Sequence, residues 1–338
     1  MSITTINAYA VRHRGGTAEP FSYERQLGDN EVLVRVTHCS VARGDVQSID
    51  NDWGDTRFPL IPGHEIVGLV EETGSAVTDL MTGDRVGVGY QQGACFSCEF
   101  CRSGTEQLCA RQKVIGVDCY GGLGDHIGVD SRFAFKLPPT LDSAQATPLL
   151  SSGLTVYSGI VQAALTAGSE VAILGVGGLG HLAIHFLREM GHRVSAFSHS
   201  PAKREAIEQL GARYVDSSHM AGSTTFARRF DFILSTLNAP FDLNTYLGML
   251  RPQGKLCFVA QPLEKLSISV GLLYDSAHRT IYGSYVGSRS DMKAMLDFVD
   301  ARNIASHVTV MPFAHVNEAI DMVRRGTAPS RVVLQRGD

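Results

Sequence analysis

The chain has 338 residues, 44% hydrophobic and 19% charged, with a formal net charge of −4 when its 12 histidines are neutral. That length exceeds the usual single core and predicts two domains, and the balance excludes a largely disordered chain. No run of Lys and Arg tracks a phosphate backbone, no stretch approaches about 18 uninterrupted apolar residues, and the first residues lack a basic-then-apolar leader, so the expectation is a cytoplasmic protein with neither nucleic acid nor membrane as partner.

In chain order, short β-type runs punctuated by Gly and Pro come first: Glu31–Thr37, Glu65–Glu71, Arg85–Gly89 and Phe133–Lys136. This spacing predicts a compact β-rich domain with long functional loops. Four of the seven cysteines fall inside it as Cys95, Cys98, Cys101 and Cys109, a C-x2-C-x2-C-x7-C pattern. Thiolates so spaced can fill every position around one tetrahedral Zn²⁺, which leaves no room for substrate and predicts a structural clip. Ligation by four cysteines is shared with iron–sulfur clusters, the main alternative. Cys39, Cys119 and Cys257 are isolated and read as small buried hydrophobes.

From about Pro148 the texture changes to βα units. A strand over 170–176 leads into a helix with apolar Leu179, Leu182, Ala183, Phe186, Leu187 and Met190 on one face. A strand follows at 193–197, then a helix at 201–210 with Ser200 as N-cap and Pro201 at N1, ended by Gly211. A strand at 231–236, a helix near 241–250 and strands at 255–260 and 280–286 complete a pattern that predicts a doubly wound parallel sheet. Helices near 291–301 and 315–325 and a last strand at 331–335 form a tail, part of which is expected to return to the first domain.

Gly175-Val176-Gly177-Gly178-Leu179-Gly180 fits G-x-G-x-x-G between a strand and a helix, the context that the dinucleotide fingerprint requires. Gly177 lets the backbone approach a pyrophosphate at the helix N-terminus, and Gly180 permits close helix-to-strand packing. About 20 residues further on, where NAD-binding chains offer Asp or Glu to the ribose, stands Ser198-His199-Ser200-Pro201-Ala202-Lys203-Arg204. Hydroxyls and cations without a carboxylate suit a 2′-phosphate, so NADPH is the expected cofactor.

These features resemble the zinc-containing medium-chain alcohol dehydrogenases, most closely their cinnamyl alcohol dehydrogenase branch. The likeness spans nearly the whole chain and rests on Gly63-His64-Glu65 with Gly68, on the glycine-rich run 83–89, on the cysteine lobe, the fingerprint, residues 198–204, Gly283-Ser284 and the stretch PLLSSGLTVYS from Pro148. It implies an α/β chain. A GroES-like catalytic domain would occupy 1–147 and 287–338, with the structural-zinc lobe at 93–112, and a Rossmann NADPH-binding domain 148–286. It further implies a homodimer, a small-molecule substrate, cofactor contacts from Arg43, Thr155, Val259, Ala260, Ser284 and Arg331, and substrate-pocket walls at Ala42 and Trp53.

In that family a reactive zinc is held by a Cys of a C-G-V-C-H-S-D stretch, the His of G-H-E and a Cys of P-L-L-C-A-G. His64 and Glu65 are in place here, whereas Ala42 and Ser151 stand at the two cysteine positions. A methyl group cannot bind metal and a neutral hydroxyl replaces thiolate poorly, so no catalytic zinc is expected. The proton-relay positions hold Gly44 and Gln47. Hydride delivery without a Lewis acid favours acceptors that spread or cancel the developing charge. The resulting expectation is an NADPH-dependent reductase of a conjugated enone or polyene, or of an iminium, in specialised metabolism, a reduction that can be coupled to ring closure. His64, Ser151, Tyr120 and Tyr157, with Glu65 alongside, are the candidate catalytic groups. Metal-independent 1,2-reduction of an aldehyde or ketone is the alternative enzyme, and a non-catalytic NADPH-binding subunit the alternative of another class.

Overall fold

The computed structural model describes residues 3–275, 277–328 and 330–337. It divides into two compact units, residues 1–151 with 288–338 and residues 152–287.

The first unit is built on a seven-stranded sheet in which Val308–Pro312, Arg331–Gln335, Glu31–Val41, Ile66–Thr73, Arg85–Val88 and Ala134–Lys136 are successive neighbours, with His126–Asp130 also paired to Glu31–Val41. The tail enters this sheet directly, since Val332–Gln335 runs antiparallel to His38–Val41. The long strand Glu31–Val41 is buried along most of both faces, so both sides of the sheet are covered there. A hairpin of Ile3–Val11 and Ala18–Gln26 lies beside it as a separate two-stranded sheet. Its turn carries no Asn-Gly or Asp-Gly, and the sequence reading assigned no strands there.

The stretch 43–50 was not expected to be helical. It forms the helix Arg43–Asp50, with Ala42 at the N-cap and Asp45 returning its carboxylate to the Ala42 N–H at 2.8 Å. The cap therefore comes from the third helical residue, because alanine has no acceptor to offer.

The second unit is a six-stranded sheet, parallel throughout, with neighbours in the order Arg213–Asp216, Arg193–Ser198, Glu170–Leu174, Phe230–Ser235, Leu250–Phe258 and Thr280–Gly283. This is the doubly wound order, which reverses beside the strand that carries the glycine-rich turn. That strand stops at Leu174 rather than at 176, because Gly175 turns with φ at +86°. Helix Gly178–Glu189 buries Leu182, Ala183, Phe186 and Leu187, so the period-3.6 reading was sound, and it ends one residue before Met190.

Two boundaries moved for local reasons. The expected helix 201–210 begins as a 3₁₀ turn, Pro201–Lys203, and becomes α-helical only over Arg204–Gln209; the Ser200 hydroxyl makes no capping bond. The expected strand 133–136 starts with a 3₁₀ turn over Ser131–Phe133. Among the described residues no helix is long and apolar enough to cross a membrane.

Candidate functional site

In the first unit the helix Arg43–Asp50 and the loop before Ile66–Thr73 bring Asp45 and His64 together. Asp45 Oδ1 lies 2.8 Å from His64 Nδ1 and also accepts from the Gly63 N–H at 2.8 Å, while Oδ2 takes the Ala42 N–H. The carboxylate is therefore fixed by three donors and dictates the ring's orientation. Burial alone would lower the His64 value, but the charge and hydrogen bond of Asp45 outweigh it and raise the ring above its ordinary 6.5. Burial likewise works against the Asp45 charge, and His64 together with the two amides still holds it below 3.8.

The opposite edge of the imidazole faces Gly44. A Cβ built there would sit 3.2 Å from His64 Cε1, 3.5 Å from Nε2 and 3.9 Å from the Trp53 ring edge. Trp53 keeps 40% of its surface exposed, and Tyr90 stands edge-on to His64 at 5.8 Å between centroids. Glu65 is fully buried, accepts a hydrogen bond from the Ser40 hydroxyl and has Arg331 Nε at 3.9 Å. Ser151 follows the turn Thr147–Leu150, which lies against the 85–89 segment closely enough that a Cβ on Gly89 would be 2.3 Å from the Leu150 carbonyl.

Tyr120 joins an aromatic group, 4.8 Å from Tyr23 and 6.0 Å from Phe21. Tyr157, in the second unit, packs edge-on to Phe186 at 5.9 Å. The Arg43 guanidinium donates to the Arg324 carbonyl at the end of helix Val316–Arg325.

The four lobe cysteines carry their Sγ atoms within 4.8 Å of one another, and among the described residues they are the one such group of three or more His, Cys, Asp or Glu. Cys95 and Cys101 lie 3.8 Å apart. Four sulfurs around one tetrahedral ion at about 2.3 Å are separated by roughly 3.8 Å, so the donor set fits a single ion. A cubane cluster would hold its cysteine sulfurs farther apart. Cys95 Sγ accepts from the Ser97 and Cys98 amides, and Cys109 Sγ from the Arg111 amide. The Ser97 hydroxyl and N–H hold Cys95 well below its ordinary range, whereas burial and the neighbouring sulfurs push Cys101 up.

In the second unit, Gly180 packs where a Cβ would strike the Gly175 carbonyl oxygen at 2.2 Å. A Cβ on Gly177 would meet no protein atom within 4 Å, so packing does not explain that glycine, whereas an approaching pyrophosphate does. Leu179 and Gly178 open the helix beside it. Ser198 Oγ accepts the Ser200 N–H, His199 is exposed, Lys203 Nζ donates to the Val176 carbonyl at 2.7 Å, and the Arg204 guanidinium lies 4.8 Å from the Tyr214 ring. At the carboxyl end of the parallel strands Thr155 Oγ1 donates to the Tyr285 carbonyl and Ser284 Oγ to the Thr155 carbonyl. Val259 and Ala260 follow strand Leu250–Phe258, and the Val259 N–H bonds the Ser235 carbonyl. The residues present thus fit a dinucleotide. Sequence reasoning missed Asp45, Ser40 and Tyr90. Only Asp45 left a signal, since it stands where the C-G-V-C-H-S-D stretch of the resemblance ends in its acid.

Known proteins resemble this chain along nearly its whole length. Residues 28–139 match the model of the alcohol dehydrogenase GroES-like domain, and residues 178–301 that of the zinc-binding dehydrogenase. The chain is 40% identical to "Aldehyde reductase AdhA" of Synechocystis over 97% of its own length and 98% of the relative's. It is 35% identical to a probable cinnamyl alcohol dehydrogenase of Oryza sativa, covering 98% and 95% of the two chains. Its fold superposes on cinnamyl alcohol dehydrogenase of Sorghum bicolor with a TM-score of 0.93 at 33% identity, each chain covered to 98%. The structure of CAD from Helicobacter pylori complexed with NADP(H) gives 0.91 at 27% identity, with 99% of each chain covered.

Proposed function

We propose that this chain, which belongs to the alcohol dehydrogenase family of GroES-like and zinc-binding dehydrogenase domains, is an NADPH-dependent reductase whose reaction centre works without zinc. The carrying observation is the donor set: Ala42 and Ser151 occupy the positions at which the family resemblance puts thiolates, and neither a methyl group nor a neutral hydroxyl replaces them as zinc ligands. NADPH, held by the fingerprint turn and by Ser198, Ser200, Lys203 and Arg204, supplies the hydride. Zinc contributes several kcal/mol to stabilising a developing alkoxide. Without it, hydrogen-bond donors and orientation suffice best for acceptors that delocalise charge, namely conjugated enones, polyenes or iminium carbons. The Trp53 indole offers a flat apolar wall for such a substrate, and the edge of His64 that faces Gly44 offers a proton.

The lobe cysteines hold one structural zinc in this reading. Self-association as a homodimer belongs to it through the family resemblance.

A second reading, 1,2-reduction of an aldehyde, draws its support from the relatives named as aldehyde reductase and cinnamyl alcohol dehydrogenase. Metal analysis of the purified chain, with NADPH consumption and product analysis on parallel enone, iminium and aldehyde panels, tests both. One zinc per chain and reduced C=C or C=N products are expected. Two zincs per chain with alcohol as sole product would overturn the proposal in favour of the second reading.

A further inference from the structure

The fingerprint turn is braced from behind by two side chains that no motif singles out for that purpose. Thr236 follows strand Phe230–Ser235; its N–H donates to the Leu174 carbonyl at 2.9 Å, and its Oγ1 lies 3.1 Å from the Leu174 carbonyl and 3.0 Å from that of Gly175. Lys203 Nζ donates to the next carbonyl, Val176, at 2.7 Å. Three consecutive carbonyls are thus engaged.

A trans peptide is planar, and its N–H points opposite to its C=O. Fixing a carbonyl therefore aims the following amide. The first plane displays this: the Leu174 carbonyl faces Thr236, and the Gly175 N–H points the other way, to the Phe197 carbonyl at 3.0 Å. By the same geometry the Gly175 carbonyl on Thr236 aims the Val176 N–H away from it, and the Val176 carbonyl on Lys203 aims the Gly177 N–H away from the lysine. Those two amides adjoin the open side of Gly177 and the N-terminus of helix Gly178–Glu189, where aligned N–H groups favour an anion. The turn is pressed into place as well, since a Cβ on Gly175 would stand 2.8 Å from Leu237 Cδ2 and 3.0 Å from Thr236 Oγ1.

We infer that Thr236 and Lys203 are positioning residues for the cofactor pyrophosphate, preorganising the Val176 and Gly177 amides as its donors. Lys203 then has two duties. Its ammonium carries three donors, so it can keep the Val176 carbonyl while meeting a 2′-phosphate. The inference rests on the NADPH reading above.

NADH, which has the pyrophosphate but lacks the 2′-phosphate, separates these duties. Dissociation constants of NADPH and NADH are measured by nicotinamide fluorescence for wild type, T236V, T236S and K203M, with thermal unfolding of each as control. T236V is expected to weaken both nucleotides alike, by about five- to tenfold, the range of one lost hydrogen bond. T236S should restore wild-type affinity. K203M should weaken NADH by a similar factor and NADPH by more. Wild-type affinities in T236V, or a K203M that loses NADPH affinity while binding NADH normally, overturn the inference. Should T236V unfold, K203M with NADH still decides. A wild type that binds neither nucleotide overturns the cofactor reading itself, a result distinct from the others.

Discussion

Replacing Glu106 by alanine tests how the cysteine lobe is tied to the rest of its unit. Glu106 opens the one-turn segment Glu106–Leu108 just before Cys109 and is 1% exposed. Its Oε1 accepts from both the backbone N–H and the Nε of Arg289, at 2.8 and 2.7 Å, at the start of helix Arg289–Arg302. The Arg289 guanidinium in turn lies 5.1 Å from the centre of the Phe96 ring, and that of Arg132 lies 3.4 Å from it. Phe96 sits between Cys95 and Cys98 of the lobe at φ +52°, a left-handed conformation that costs a non-glycine residue about 1 kcal/mol or more, which these contacts offset.

Breaking a buried ion pair from one side costs about 3–5 kcal/mol, but the Arg289 side chain is 32% exposed and regains water, so about 2–3 kcal/mol is the appropriate figure. For a unit of about 200 residues that corresponds to a fall in Tm of roughly 4–12 °C. If the lobe holds zinc as proposed, the same variant should release it faster to a chromogenic chelator, because Glu106 precedes Cys109 by three residues. Scanning calorimetry and the zinc-release time course are the assays. A Tm within about 1 °C of wild type together with unchanged release would refute the reasoning, since a change of 1 kcal/mol would already be visible.

Three further predictions concern the fingerprint turn and the Asp45–His64 pair. Gly177→Ala adds a methyl where no protein atom lies within 4 Å, at a φ of −102° that alanine tolerates, so Tm should hold while NADPH affinity drops; unaltered affinity would mean that no phosphate approaches there. Gly180→Ala drives a methyl into the Gly175 carbonyl and should cost about 1–3 kcal/mol of stability as well as the cofactor. For Asp45→Asn the expectation is a flatter dependence of stability on pH. The raised His64 contributes fully below 6.5 and loses its contribution as pH rises through its folded value, whereas the lowered Asp45 contributes above 3.8 and loses its share as pH falls through its own. Urea midpoints across pH for wild type and variant check this, and parallel curves would contradict it.

What was legible in the sequence was what short-range chemistry enforces. The face Leu182, Ala183, Phe186 and Leu187 is set by helical period, the cysteine lobe by ligand spacing, and the glycines at 175 and 180 by steric demands within one turn. Ser200 and Pro201 stand at the N-cap and N1 as expected, but the Ser200 hydroxyl makes no capping bond and the segment opens as a 3₁₀ turn.

Tertiary structure decided the rest. Asp45 meets His64 across 19 residues, Thr236 reaches the fingerprint across 61 and Glu106 meets Arg289 across 183. Helix Arg43–Asp50, with an alanine N-cap and few apolar residues, holds because the buried Asp45 bonds both Ala42 and Gly63. Local pattern fixes which dihedral angles a segment prefers. Which carboxylate faces which cation depends on the order in which strands pair, and that order is settled only when the apolar faces are buried together.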